Sequence, residues 1–147
     1  MDSQEVREAM ERVYQARASL VSGRTKVRRP TDVLPIIDEY CDAEQEYFVV
    51  VLLNGANQVI EANVVTLGIA NRTVIHPREV FREAIRKNAV SIILAHNHPS
   101  GSLEPSPEDH EMFRRIQQAS QIIGIPVLDS IIVAKSGYYS YLEQGQM

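Results

Sequence analysis

Cysteine is almost absent from this chain: Cys41 stands alone, so no intrachain disulfide can form and no cysteine-based zinc site is available. The compartment this implies is a reducing one. Long apolar runs are missing too. No stretch approaches the ~18 residues of a membrane-spanning helix, and the opening MDSQEVREAMERVYQ lacks the apolar core of a secretion signal. The expectation is a cytoplasmic protein with no membrane partner. Positive charge is in the minority, with 15 Lys and Arg against 19 Asp and Glu and a net charge of −4. That balance speaks against a dedicated nucleic-acid binder, which needs basic surface to displace counterions from phosphates. Repeats and low-complexity segments are also lacking.

What the chain does have is the balance of an ordinary globular domain, with 44% hydrophobic and 23% charged residues over 147 positions. That length is enough to bury roughly two-thirds of the unfolded surface, so no staple is needed. From Ser3 to about Leu20, apolar residues at Val6, Met10, Val13, Ala16 and Leu20 recur every three or four positions and predict an amphipathic helix. Gly23 ends it. The stretch SGRTKVRRP then places Arg24, Lys26, Arg28 and Arg29 close together, and a solvated linker is the simplest account of them. Residues 1–29 therefore read as an N-terminal helix with a basic linker, and residues 30–147 as one domain.

Within that domain Pro30, Thr31 and Asp32 open a predicted helix over TDVLPIIDEYCD, with Pro35 in its first turn. FVVVLL and QVIEANVV, split by Asn54, Gly55, Ala56 and Asn57, predict a β-hairpin. HPREVFREAIRKN predicts a helix with Val80, Phe81, Ala84 and Ile85 on one side. Ser91 to Ala95, SIILA, is the continuous apolar run of a strand buried on both faces. A helix over about Ser106 to Ile122, ended by Gly124, and two strands around Lys135, Ser136 and Gly137 complete an α/β layout in which sheet and helices interleave.

Chemistry concentrates in HNHPSGSLEPSPED, directly after the buried strand. His96 and His98, two apart at a strand's end, project to the same side of an extended chain and can grip one ion. Asp109 lies eleven residues past His98, beyond a loop punctuated by Pro99, Gly101 and Pro105 that allows the chain to fold back. Two imidazoles and a carboxylate form the protein shell of a catalytic zinc site, whereas a structural site is closed by four protein ligands. A plainer account stands beside this one: the histidines are a polar loop feature, and SPED is a helix start with Ser106 as N-cap, Pro107 at N1 and Asp109 at N3. The two are compatible, because a capped helix would fix Asp109 on a rigid element.

The spacing HNHP, six residues, Ser106, two residues, Asp109 resembles the JAMM signature of JAB/MPN-domain metalloproteins. VIHPREVFREAIRKNAVSIILAHNHPSG and GIPVLDSIIV are similar to the RadC branch of that superfamily, over about residues 30 to 147. The resemblance implies a cytidine-deaminase-like fold of the JAB/MPN kind, a mixed central β-sheet flanked by helices. It implies Zn2+ on His96, His98 and Asp109, with Ser106 hydrogen-bonded near the metal, and a glutamate acid/base just before the strand that opens the domain. Glu46 fits that place best, with Glu44 and Glu61 as alternatives. His76 and Arg78 also match the RadC pattern, and are equally readable as structural or as cleft-lining.

Two positions depart from that pattern: Asp129-Ser130 stands where Asp-His is usual, and Gly68-Ile69 where Gly-Thr is usual. Full-length RadC-like proteins carry an N-terminal segment resembling a helix-hairpin-helix module, and this sequence leaves too little room for one. The function expected is a zinc-dependent hydrolase that cleaves an amide or isopeptide bond in a peptide or protein. Two alternatives are a DNA-repair or DNA-processing role and a metal-free MPN scaffold. Acidic composition weighs against the first, and retention of all three ligands against the second.

Overall fold

The computed structural model describes residues 2–10, 25–40, 43–68 and 75–147. Residues 3–10 are helical (α1), with Val6 and Met10 half-buried. Val13, Ala16 and Leu20, which carry the rest of the predicted stripe, lie outside the described residues, as do Gly23, Arg24 and Cys41. The predicted linker joins the fold before Pro30. Lys26 bridges Gln58 in antiparallel fashion, and Val27 is buried.

Among the described residues five strands form one mixed sheet: β1 (Glu46–Leu53), β2 (Val59–Gly68), β3 (Ser91–Asn97), β4 (Val127–Ala134) and β5 (Gly137–Ser140), in the order β2-β1-β3-β4-β5. β1 pairs antiparallel with both β2 and β3, while β3 and β4 run parallel. A parallel pair needs a crossover, and α4 (Pro107–Ile123) supplies it. That topology puts the end of β3 and the start of α4 side by side. The hairpin turn is held by Asn54, whose Oδ1 accepts the N–H groups of Ala56 and Gln58.

Helices α3 (Pro77–Arg86) and α4 cover one face of the sheet, packing Val80, Phe81, Ala84, Phe113 and Ile116 on Phe48, Val50, Leu52, Ile92 and Leu94. The other face carries Val33, Ile36, Ile37 and Tyr40 from the segment before β1, set against Val49, Val51, Ile93 and Ile131. Every residue of β3 is buried, as its continuous apolar run requires. Ile85, expected on the packed side of α3, is instead 56% exposed. Helical spacing carries the apolar stripe through Val80, Phe81 and Ala84, and Ile85 falls at its rim.

The helix expected over TDVLPIIDEYCD is broken into a 3-10 turn (Pro30–Asp32), a single α-turn α2 (Leu34–Ile37) and another 3-10 turn (Asp38–Tyr40). Pro35 falls in the first turn of α2, where its missing N–H is tolerated, as expected. The Asp32 carboxylate accepts the N–H groups of Arg28 and Arg29 and holds the first turn separately.

Candidate metal centre

β3 extends two residues beyond its apolar run, so His96 sits inside the strand at 3% exposure and pairs with Phe48 and Ile132. His98 follows just past the strand end, where its N–H donates to the Val133 carbonyl at 3.1 Å. The chain then turns at Gly101, whose φ of 86° lies in the left-handed region that glycine tolerates. It returns to α4 through a reciprocal cap. Ser106 Oγ accepts the Asp109 N–H at 3.1 Å, and the Ser106 N–H donates to Asp109 Oδ2 at 2.8 Å. The capping account holds for Asp109, and it is compatible with the ligand account, because the cap fixes the carboxylate so that it faces the histidines.

His96 Nε2 and His98 Nε2 are 3.2 Å apart. Asp109 Oδ2 lies 3.0 Å from His98 Nε2, and Oδ1 lies 3.4 Å from His96 Nε2. Donor atoms on a tetrahedral ion with bonds of ~2.0–2.2 Å sit roughly 3.3–3.6 Å from one another, so this triangle needs little adjustment to close on zinc. Glu46, the first residue of β1, brings a carboxylate oxygen into the same group, and all four donor atoms lie within 4.8 Å of one another. Glu44 and Glu61 are not in the group. Glu44 is exposed, while Glu61 is buried and ion-paired with Lys87 Nζ at 2.7 Å. His76 caps the start of α3 without a side-chain bond, and Arg78 is exposed; neither belongs to the cluster.

Charge follows geometry. Burial, the largest single influence on Asp109, would raise its carboxyl. The bonds from His96 and His98, the charge on His96 and the Ser106 N–H outweigh it and hold the group well below the usual carboxylate range. His98 is raised above an ordinary histidine, chiefly by its bond to Asp109 and against the lowering effect of burial, with the charges of Asp109 and Glu46 adding to the rise. The cluster is therefore an anionic pocket that calls for a proton or a metal ion between the imidazoles. His98 Nδ1 is 2.8 Å from the Ser102 carbonyl, which can only accept, so Nδ1 carries the hydrogen and Nε2 faces the cluster. His96 Nδ1 is buried with no partner among the described residues.

One residue that sequence reasoning missed is Asn97, fully buried between the two histidines and bonded by its side chain to the backbone on both sides of Glu46. Its signal was an amide at a position where the strand alternation turns away from the site. The Tyr141 hydroxyl, 3.1 Å from His110 Nδ1, is also close enough for the Asp109 charge to help raise it, after burial. Among the described residues no helix is long and apolar enough to cross a membrane.

The chain matches the RadC-like JAB domain over residues 27–146. It is 48% identical over 126 residues to a UPF0758 protein of Rubrobacter xylanophilus, covering 85% of this chain and 55% of that protein. It is 52% identical over 100 residues to one of Symbiobacterium thermophilum, covering 68% of this chain and 43% of the relative. With a UPF0758 protein of Desulforamulus reducens the identity is 39% over 142 residues, 96% of this chain and 63% of the relative. The chain thus spans about half the length of the curated relatives it matches. With the mixed sheet, the cluster of His96, His98 and Asp109 and these similarities together, the chain belongs to the RadC-like JAB domain family.

Proposed function

We propose that this domain is a zinc metallohydrolase that cleaves an amide or isopeptide bond of a peptide or protein by activating water, in a reducing, cytoplasmic setting. The observation that carries the reading is the convergence of His96, His98, Asp109 and Glu46 within 4.8 Å. Three of these residues suit the protein share of an open zinc site, and the fourth is a carboxylate that makes no side-chain hydrogen bond or ion pair among the described residues. Zinc held by His96 Nε2, His98 Nε2 and the Asp109 carboxylate would supply a Lewis acid and lower the pKa of water from 15.7 to about 7.

The remaining steps fall to the protein. Glu46 accepts the proton of the attacking water on its carboxylate and returns it to the leaving amine nitrogen, a task worth about 10²- to 10⁴-fold in rate. Ser106 caps α4 and also stands where it can stabilise the oxyanion. Its cap uses a lone pair of Oγ, which leaves the O–H free to donate, so the two uses do not compete. The acid net charge favours a protein substrate over nucleic acid.

The test is Glu46→Gln in protein that carries one zinc per chain and cleaves a defined amide-bond substrate. The variant keeps zinc and fold and loses about 10²- to 10⁴-fold in turnover, since glutamine cannot accept the proton. Turnover equal to that of the unmodified protein would remove Glu46 from the mechanism.

A further inference from the structure

The ladder between β1 and β3 ends at the pair Phe48↔His96. One step further, the side chain of Asn97 replaces the missing rung. Its Oδ1 accepts the Tyr47 N–H at 2.6 Å, and its Nδ2 donates to the Gln45 carbonyl at 2.9 Å and, more distantly, to that of Ala43 at 3.5 Å. The two short bonds grip the backbone on either side of Glu46. Asn97 is 0% exposed, so in the native chain its two bonds are shielded from water. An amide suits the place because it presents an acceptor and a donor side by side. A carboxylate would set a second acceptor against the Gln45 carbonyl, and an apolar side chain would leave both backbone groups unpaired.

Period-two alternation turns Asn97 away from the side on which His96 and His98 meet. We infer that Asn97 is a positioning residue: by tying residues 45–47 to β3, it carries the Glu46 carboxylate to the metal ligands borne by that same stretch of chain. Two of the three proposed ligands and the acid/base are then set by three consecutive residues, His96, Asn97 and His98, with Asp109 supplied separately by α4. The inference rests on the proposed role of Glu46, but its test does not depend on turnover.

The experiment uses the full chain, labelled with nitrogen-15, as wild type, Asn97→Ala and Asn97→Ser, metal-free and loaded with Co2+ as a paramagnetic probe. In the metal-free variants the Tyr47 amide exchanges about tenfold faster, while the amides of Val50 and Leu94 are unchanged. In the Co2+-loaded variants the paramagnetic shifts of the Glu46 resonances fall by at least about half, and those of His98 and Asp109 hold. Unchanged Tyr47 exchange and unchanged Glu46 shifts in Asn97→Ser would overturn the inference. So would a uniform loss of protection across β1 and β3, or loss of bound Co2+, in both variants, since either marks a general structural role. Should Asn97→Ala fail to fold, Asn97→Ser carries the test with a smaller cavity. A wild type that binds no Co2+ would defeat the metal reading and leave the exchange measurement to judge the clasp, while turnover in Glu46→Gln judges the acid/base reading alone.

Discussion

Replacing Asp129 tests the buried polar logic of the C-terminal half. Asp129 is 2% exposed. Its Oδ1 accepts the Ser130 N–H at 2.7 Å and the Leu142 N–H at 3.0 Å, and its Oδ2 accepts the Ser140 hydroxyl. The side chain thereby pins β5 and the turn after it to β4. In Asp129→Ala, the Leu142 N–H finds water because that residue is 53% exposed, but Ser130 and Ser140 are buried and do not. Two orphaned donors at about 1–3 kcal/mol each, less what is recovered by removing a buried charge, give an expected loss of about 3 kcal/mol. Asp129→Asn keeps Oδ1 for both amides, and its Nδ2 can donate to a rotated Ser140 hydroxyl, so about 1 kcal/mol or less is lost. The difference depends on pH. Burial, the largest influence, raises the Asp129 carboxyl against the lowering effect of the Ser140, Leu142 and Ser130 bonds. The native state therefore holds the proton more tightly than the unfolded chain, and the stability from this group is full below the unfolded value of about 3.9 and falls as pH rises through the window up to the native value. Urea unfolding of metal-free wild type and Asp129→Asn at pH 4 and pH 7 measures this, with the titration of the shared histidine cluster cancelling in the difference. The wild-type advantage over Asp129→Asn should be smaller at pH 7. An advantage that grows with pH, or an Asn variant as unstable as Asp129→Ala, would refute the reasoning.

Three further outcomes follow from the geometry. His96→Ala and His98→Ala each leave too few protein ligands, so elemental analysis after dialysis against chelator should fall from about one zinc per chain to near none; full retention in both variants would place the metal elsewhere. Ser106→Ala removes the acceptor of the Asp109 N–H, and thermal unfolding of the metal-free protein should register about 1 kcal/mol, or roughly 3 °C. No shift there would mean that Asp109 alone holds the cap. Gly124 has φ 82° and nothing within 4 Å of an added Cβ, so Gly124→Ala pays only for left-handed backbone, about 1–2 kcal/mol in denaturant unfolding. Undiminished stability would show that the helix end relaxes into another conformation.

The sequence by itself determined the elements whose signals are local. The apolar run of β3, the Asn54 turn, the Ser106 cap and the Gly124 stop each rest on neighbours within a few residues, and all stand where the pattern put them. The motif spacing also carried His96, His98 and Asp109 as a set, because a strand end and a capped helix start are themselves local features. Tertiary structure decided what depends on distant partners. It brought Glu46, fifty residues before His96, into the cluster and sent Glu61 to Lys87, since antiparallel pairing of β1 with β3 aligns Phe48 with His96 and so carries the first residue of β1 to the strand end. No local rule separates three acids of like chemistry in one sequence neighbourhood. Pro35 stands in the first turn of α2, as its position in the sequence implied, but the longer helix gave way to separate short turns, the first of them held by the Asp32 carboxylate. Asn97 became a clasp only when β1 lay beside it, because one side-chain amide can bond two backbone groups some fifty residues away only after the sheet has formed.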